Sequence, residues 1–199
     1  MTVVTNRTRP RAELRAAIYE AAIALFHKDG FTGTPVDAIV AAAGVAKGTF
    51  FNFFPTKHDV LKAYYGVIDA EVAHVRAKLN PRAPKKALSR YARDVEQILR
   101  REGALMLELI ELTLSEPSMR RVDESSGALD AEEFAAFFAR AQEHGAVGAH
   151  VDAAMAAEAL VDLWSGAVRA WLRDPQEASL PALFDARVAT LFAGLEGRI

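Results

Sequence analysis

Residues 34–61 read TPVDAIVAAAGVAKGTFFNFFPTKHDVL and decide the fold. Thr34 is a favoured helix N-cap, and apolar residues at helical spacing follow it, so the stretch predicts a short helix. Gly44 ends that helix, because glycine enters a left-handed turn at no steric cost. A second short helix begins at Ala46 or Lys47. Two short helices joined by a tight glycine turn form a helix-turn-helix, whose second helix can enter the DNA major groove.

The composition of the second helix favours DNA binding over a plain structural corner. Lys47, Gly48 and Thr49 bring a cation, a position without a side chain and a hydroxyl to its start. These residue types suit a helix end that closely approaches phosphates and base edges. Phe50 is expected to point into the core, and the run FNFF at 51–54 ends at a proline.

Two capping-box-like pairs are predicted, one on each side of the second helix. Asp37 completes the first with Thr34, and Asp59 completes the second with Thr56. Lys57 lies in the first turn of the following helix, where a cation opposes the helix dipole. That placement makes sense if Lys57 and the free amides of the helix hold a DNA phosphate.

This stretch resembles the tetracycline-repressor-like (TetR) family of transcriptional regulators. The resemblance covers about the first sixty residues without a gap. It is carried by the segment FHKDGF at 26–31, by Thr34, Ile39, Ala42, Gly44 and Val45, and by the segment GTFFNFFPTK at 48–57. The resemblance implies a DNA-reading head, a rigid helix over 57–79 that transmits ligand occupancy, and a ligand-binding body whose last two helices form a homodimer.

Three residues depart from the family pattern. Phe51 stands where tyrosine is usual, which removes a phenol contact to phosphate. Ala46 stands where a capping serine or threonine is usual, and His58 replaces a common acidic residue and adds a pH-sensitive charge near DNA. None of the three removes the motif.

The length and composition fit an all-α protein with a small head and a larger body. We predict a helix-turn-helix DNA-binding domain at 1–56 and a helical ligand-binding and dimerisation domain at 57–199. Residues 1–62 hold eight Lys/Arg and five Asp/Glu, a net charge of +3, whereas the other residues carry −5. The positive charge therefore coincides with the motif.

The composition also bears on compartment and on disulfides. The chain has no cysteine, which excludes disulfides and thiolate metal sites. No apolar run of about 18 residues and no apolar signal core is present, so a cytoplasmic protein is expected. Residues 1–10, with Arg7 and Arg9, resemble a flexible arm, and a solvated tail is favoured there over a DNA contact.

The rest of the chain shows helical periodicity and no strand pattern. A first helix is expected from Arg11 or Ala12 to Lys28. Helices of the body are expected at about 85–101, 103–115, 130–144, 152–173 and 181–195, with Gly103 and Gly127 among the separators.

Aromatic and methionine residues on neighbouring helices describe either plain core packing or an adaptable apolar cavity. The resemblance implies such a cavity, so a lipophilic or aromatic effector is expected. Its candidate lining residues are Tyr64, Met106, Ile110, Phe134, Phe137, Phe138, Met155, Trp164 and Val168.

The last two helices carry many small residues, which let helices approach closely in an internal pair or across a two-fold axis. The resemblance implies the latter. Two heads about 34–36 Å apart would read a palindromic operator, whereas a single short helix reads too few base pairs. The candidate interface residues are Leu163, Gly166, Val188, Leu191, Phe192 and Leu195.

No catalytic, metal-binding or cofactor-binding arrangement is found. The histidines lack metalloprotease spacing, and no phosphate-binding glycine loop is present. His144 and His150 flank a glycine-rich turn, for which a solvated turn is favoured over a weak metal site. Glu108 and Glu111 lie three residues apart on one helix, where a polar stripe is simpler than acid–base chemistry.

Two hypotheses of different class remain. The favoured one is a ligand-responsive regulator, a repressor that binds its palindrome as a homodimer and is released by its effector. The alternative is an all-helical ligand-binding protein or enzyme whose helix-turn-helix is only a corner. A corner has no need of polar side chains exposed together on one surface. The candidate DNA-contacting residues are Thr34, Lys47, Gly48, Thr49, Phe51, Asn52, Phe53 and Lys57.

Overall fold

Eight helices and no strand make up the part of the chain that the computed structural model describes, residues 10–196 without the side chains at 114 and 194–196. The all-α prediction is confirmed. In chain order the helices are α1 (Arg11–Asp29), α2 (Val36–Ala43), α3 (Lys47–Phe53), α4 (Lys57–Arg76), α5 (Pro84–Ser115), α6 (Pro117–Glu143), α7 (Ala153–Trp171) and α8 (Leu180–Glu196). Among these described helices, no single one is long and apolar enough to cross a membrane.

The helices form two compact units. Unit 1 contains the described residues up to Val67 together with Glu102–Arg120, and unit 2 contains Ile68–Arg101 and the described residues from Arg121 onwards. These units are defined by packing. The predicted boundary at 56/57 instead separates a DNA-binding domain from a ligand-binding domain, and it stays a prediction.

The core of unit 1 fixes the helix-turn-helix. Ile18 and Phe26 of α1, Ile39 of α2, Phe50 of α3 and Leu61 of α4 are all buried. Each such side chain contributes about 1.5–3 kcal/mol through the apolar surface it removes from water. The chain bends by 99° between α2 and α3, which is within the range of a helix-turn-helix.

The turn between α2 and α3 has the predicted conformation. Gly44 has φ 65° and ψ 39°, which is the left-handed region, and its amide closes the last turn of α2. Helix α3 begins at Lys47 and ends at Phe53, immediately before the Phe54-Pro55 step. The glycine stop and the proline stop are both confirmed.

One of the two predicted caps is confirmed. The Asp59 carboxylate accepts hydrogen bonds from the amide and the hydroxyl of Thr56, both at 2.8 Å. The pair of Thr34 with Asp37 was wrong, because α2 begins one residue later than predicted and has Pro35 at its N-cap, without a side-chain cap. The Thr34 hydroxyl instead donates to the Gly30 carbonyl at 2.7 Å.

The helices of the later chain differ from the prediction in two places. Helix α6 runs through Gly127, which was wrongly predicted as a separator. A glycine inside a helix costs only about 1 kcal/mol. The buried side chains of Met119 and Phe134, on either side of Gly127, stabilise the helix by more than that. Gly103, with φ 59° and ψ −139°, does interrupt α5 as predicted. Helix α4 ends at Arg76, three residues before the predicted end.

The core of unit 2 is aromatic. Its rings form a connected set in which Tyr91 contacts both Phe134 and Trp164, and Phe138 contacts Phe192. Helices α7 and α8 pack against each other. The large buried residues of this core are Tyr91, Phe134, Phe137, Phe138, Trp171, Phe184 and Phe192.

Candidate nucleic-acid interface

Helix α3 presents one polar face to solvent and one apolar face to the core of unit 1. Phe50 is fully buried, whereas Lys47, Gly48, Phe51 and Asn52 are exposed. Positions 47 and 51 are four residues apart, as are positions 48 and 52, so the four lie on the same side of the helix. The exposed face therefore combines a cation, an amide and an aromatic ring around a position without a side chain.

Gly48 is not required by packing inside the chain. A Cβ atom added at this position would have no other atom within 4 Å. Glycine here serves the fold no better than alanine does, and in a helix it costs about 1 kcal/mol. Because Gly48 has no side chain, the backbone of α3 is open at this position and another molecule can approach it closely.

Lys47 forms an ion pair at the start of α3. Its ammonium lies 2.7 Å from a carboxylate oxygen of Asp37 in α2, and both side chains are more than half exposed. Exposed pairs of this kind contribute about 0–1 kcal/mol, so the ammonium can leave Asp37 at little cost. Asp37 thus lies in the same surface as the predicted DNA contacts and opposes their charge.

Two arginines that sequence reasoning did not single out lie beside the second half of α3 and its end. The guanidinium of Arg11 lies 5.4 Å from the ring centroid of Phe53, and that of Arg15 lies 5.0 Å from the centroid of Phe54. Both arginines are exposed and lie four residues apart on α1, so they share one face. That i, i+4 spacing was the signal in the sequence that would have found them.

Phe53 and Thr49 are half-buried, between the exposed and buried faces of α3. Thr34 is buried, with 1% of its surface exposed, and its hydroxyl donates into the chain. This placement does not support the predicted contact of the Thr34 side chain with a phosphate.

Lys57 is turned towards the loop between α1 and α2. Its ammonium donates to the carbonyls of Phe31 at 2.6 Å and Thr34 at 2.9 Å, and lies 4.2 Å from the centroid of the Phe31 ring. Desolvation lowers the pKa of Lys57, and the carboxylate of Glu108 partly opposes that shift. This geometry supports a structural role for the side chain rather than the predicted grip on phosphate.

Glu108 binds the same loop from the other side. Its carboxylate accepts hydrogen bonds from the amides of Phe31 at 2.7 Å and Thr32 at 2.9 Å, and from the Thr32 hydroxyl at 2.9 Å. Desolvation acts to raise the pKa of Glu108, but these hydrogen bonds and Lys57 outweigh it, so the pKa lies below its usual value. We call Lys57, Glu108 and the loop residues 31–34 the loop clamp. Glu111 is exposed and has no part in it.

The predicted ligand-pocket residues are distributed over both units. In unit 1, Tyr64 and Met106 are buried and Ile110 is half-buried. Those in unit 2 are Phe134, Phe137 and Phe138, which are buried, Trp164 and Val168, which are half-buried, and Met155, which is exposed at 63%. The exposure of Met155 does not support a place in a closed cavity, and the role of the others stays a prediction.

The predicted dimer residues also differ in exposure. Leu163, Gly166 and Leu191 are half-buried, whereas Val188 and Phe192 are buried in the core of unit 2. The side chain of Leu195 lies outside the described residues. Along α8, small residues are exposed at regular helical spacing, namely Ala182, Ala186, Ala189 and Ala193.

The N-terminal arm, including Arg7 and Arg9, lies outside the described residues. Among the residues that are described, no three histidine or carboxylate side chains are grouped in a way that suits a metal ion.

Part of this geometry matches a known family model. The family model for bacterial regulatory proteins of the tetR family matches residues 18–64, which run from α1 into α4 and include the helix-turn-helix. A search of curated protein sequences found no relative.

Solved structures share the fold over nearly the whole chain. Thermus thermophilus FadR, a TetR-family transcriptional repressor in complex with lauroyl-CoA, has a TM-score of 0.70 at 24% identity, covering 93% of this chain and 96% of its own. SmeT, the repressor of the Stenotrophomonas maltophilia multidrug efflux pump SmeDEF, has a TM-score of 0.67 at 21% identity, covering 90% and 89%. A TetR transcription regulator from Haloarcula marismortui has a TM-score of 0.72 at 14% identity, covering 92% and 98%. Residues 18–64 thus match the tetR family of bacterial regulatory proteins at the helix-turn-helix, and the described chain shares the fold of TetR-family regulators over nearly its whole length.

Proposed function

We propose that this protein is a ligand-responsive repressor that binds a palindromic operator as a homodimer. The observation that carries the proposal is the exposed face of α3. Lys47 and Asn52 project from a helix whose opposite face is anchored by the buried Phe50. Lysine and asparagine are the types of side chain that hydrogen-bond guanine and adenine edges in the major groove.

The base contacts are assigned to Lys47, Thr49 and Asn52, with Gly48 permitting close approach. Phe51, with 43% of its surface exposed, supplies an apolar contact to sugar or to a thymine methyl group, and Phe53 lies beside it. Arg11 and Arg15 are the cations next to α3 that suit phosphate contacts. Phosphate contacts position the protein, while the α3 side chains read the sequence.

The dimer is assigned to α7 and α8. The four exposed alanines of α8 allow a second copy of the helix to approach closely, and Leu163 and Leu191 supply partly exposed apolar area beside them. A two-fold axis makes the same surface meet itself, which matches the symmetry of a palindrome. The proposed palindromic operator therefore requires the proposed homodimer.

The effector is assigned to the helical body and is expected to be lipophilic or aromatic. The aromatic core of unit 2 supplies the residue types that such a ligand contacts. A structural relative, the FadR of Thermus thermophilus, is described with lauroyl-CoA, a ligand with a long apolar tail. An effector releases the operator only if it has unequal affinity for the DNA-binding and the released conformations. We place the protein in the cytoplasm and propose no catalytic role for it.

Lys47→Ala tests the assignment of α3. The substitution should weaken operator binding by about 1–3 kcal/mol and relax the preference at one base position, because a base contact is lost. The matched control is Lys28→Ala, an exposed lysine near the opposite end of α1, about 26 Å along the helix from Arg11. Both variants are measured by fluorescence anisotropy on the operator and on duplexes changed at one position. Equal affinity and equal preference in Lys47→Ala and the wild type would remove α3 as the reading helix.

A further inference from the structure

An open groove of unit 2 lies between the start of α5 and the middle of α8. Its volume is about 470 Å³, which is within the range of sites that hold small ligands. Asp185 and Val188 of α8 line one side of it. The other side is formed by cations of α5, namely Lys85, Lys86, Arg90 and Arg93. We call this surface the basic groove.

The basic groove has a local excess of positive charge. Four cations and one carboxylate line it, a net charge of +3, whereas residues 63–199 together carry −5. All four cations are exposed, and Lys86, Arg90 and Arg93 follow helical spacing along one face of α5. A concave surface lined by charges of one sign strengthens the local potential and attracts ions of the opposite sign. The groove therefore favours an anion in a part of the chain that is acidic as a whole.

The cations of the groove have few partners inside the chain. Arg90 lies 3.5 Å from a carboxylate oxygen of Asp94, but its side chain is 80% exposed, and such pairs contribute little. Lys86 and Arg93 form no ion pair with any residue that the structure describes. An external anion can therefore pair with these side chains without first breaking a strong contact.

The start of α5 adds to the attraction for an anion. Lys85 and Lys86 lie in the first turn of the helix, and no acidic residue accompanies them there. Cations at this end oppose the helix dipole, which disfavours the folded helix. A bound anion would interact favourably with both the lysines and the dipole.

The α8 side of the groove holds its one carboxylate and an apolar floor. The Ser89 hydroxyl donates to the Asp185 carboxylate at 2.7 Å, so this acidic group has a neutral donor. Val188 is buried and Ala189 is exposed beside it. Ala189 also belongs to the proposed dimer surface, so the groove borders that surface. An organic group attached to the anion has room over this floor.

We propose that the basic groove binds the phosphates of an organic diphosphate or triphosphate. The row from Lys86 to Arg93 extends about 10 Å along α5, so adjacent phosphates are needed to meet all of its cations. The guanidinium groups of Arg90 and Arg93 suit bidentate contacts with phosphate oxygens. The organic group lies over Val188. The site is additional to the effector site, and it holds whether or not α3 reads DNA.

Four probes that are parts of one molecule test the inference. ADP, pyrophosphate, AMP and adenosine are titrated into the full chain by calorimetry at low salt. ADP and pyrophosphate should bind, AMP should bind about 10-fold more weakly than ADP, and adenosine should not bind, since one charged hydrogen bond is worth a factor of about 10. Raising the salt concentration should weaken ADP binding, because salt screens exposed charges.

A pair of double variants locates the site. Lys86→Ala with Arg93→Ala removes two cations of the groove and should weaken ADP about 100-fold. Arg120→Ala with Arg121→Ala is the matched control, because it removes the same charge from exposed positions of α6, while the lining residues of the groove belong to α5 and α8. The control should change ADP affinity less than about 2-fold. Circular dichroism confirms that both variants are folded.

Asp185→Asn should have the opposite effect. It removes the only carboxylate among the lining residues of the groove and should tighten ADP binding about 2–5-fold. A substitution that acted only by disturbing the fold would weaken binding instead. An unchanged or weaker affinity in this variant would place the phosphates outside the groove.

No measurable binding of ADP and pyrophosphate, equal affinity for ADP and adenosine, or equal losses in the two double variants would each overturn the inference. A DNA duplex of random sequence is titrated in parallel. If the Lys86 and Arg93 double variant weakens the duplex as much as it weakens ADP, the groove binds DNA backbone instead, and the inference is also overturned.

Discussion

The loop clamp of unit 1 and a buried group of unit 2 both combine carboxylates with a cation, but they differ in the partners of those charges. The group in unit 2 contains Arg76, Tyr91, Asp130 and Glu133, and we call it the Arg76 cluster. In the loop clamp, Glu108 meets backbone amides and Lys57 meets backbone carbonyls, so each charge faces groups of opposite polarity. In the Arg76 cluster, one guanidinium pairs with the carboxylates of Asp130 and Glu133 and also hydrogen-bonds the buried Tyr91 hydroxyl. The first arrangement joins charged side chains to backbone groups, whereas the second joins them to one another.

A polar network that joins a loop to two helices favours one conformation of that loop. A buried carboxylate among other carboxylates instead has a raised pKa, so its contribution to stability depends on pH.

Glu108→Ala should produce the largest effect. It removes three hydrogen bonds to a carboxylate and should lower the free energy of unfolding by about 2–3 kcal/mol. Because the pKa of Glu108 is lowered in the folded protein, its contribution is present above about pH 4.3 and is lost as the pH falls through the folded-state value. Urea denaturation at pH 7 and at low pH measures both effects. The control is Glu111→Ala. Equal losses of unfolding free energy in the two variants would show that the hydrogen bonds of the loop clamp do not stabilise the protein.

Lys57→Met should lower the free energy of unfolding by about 2 kcal/mol, because the carbonyls of Phe31 and Thr34 lose their donor. Lys62→Met, which breaks only an ion pair with Asp59, should lower it by at most about 1 kcal/mol. Lys57→Met also distinguishes a structural role of Lys57 in the loop clamp from a contact with DNA phosphate. If Lys57 only holds the loop, the slope of log affinity against log salt stays constant, whereas loss of a phosphate contact reduces it by about 0.9.

Asp130 should make the stability of the protein depend on pH. Its folded-state pKa of about 6 lies above the value of an unfolded aspartate, so the folded state binds the proton more tightly. The unfolding free energy of the wild type relative to Asp130→Asn should therefore rise by about 1–2 kcal/mol as the pH falls from 7.5 to 4.5. The groups acting on Asp130 are Arg76, Asp69, Glu133 and Asp123. Urea titrations at intervals of pH measure the difference, and a difference that does not change with pH would contradict a raised pKa of Asp130.

Asp37→Asn should have the smallest effect and the opposite sign. It removes a carboxylate 2.7 Å from the Lys47 ammonium, so DNA binding should tighten about 2–5-fold while stability changes by less than about 0.5 kcal/mol. Asp29→Asn removes an equal charge at the opposite end of α1 from Arg11, about 27 Å along the helix, and is the control. Anisotropy titrations in which both variants tighten binding equally would mean that only net charge matters.

The helix-turn-helix could be predicted from the sequence because its signals are local. Gly44 and Pro55 fix the ends of their helices through their own backbone restrictions, and Thr56 and Asp59 are only three residues apart. The roles of Lys57 and Glu108 could not be predicted, since their partners are backbone atoms up to 77 residues away. Gly127 was misassigned because burial of distant apolar residues overrides a weak local preference.

The candidate site was predictable to the same extent. Exposure of Lys47, Gly48, Phe51 and Asn52 follows from helical periodicity around Phe50. Burial of Thr34 does not, because it depends on the path of the preceding loop. The Arg76 cluster combines residues of α4, α5 and α6, and only the tertiary structure brings them together.

Selection of random DNA duplexes on the purified protein, followed by titration of the enriched duplex across salt concentrations, measures whether α3 reads DNA sequence. We expect an enriched palindrome with half-sites about 10 base pairs apart, bound by two chains with a steep salt dependence. No enrichment, with only weak binding that moderate salt abolishes, would contradict it. In that case α3 does not read sequence, and the helical body would be the functional part of the chain.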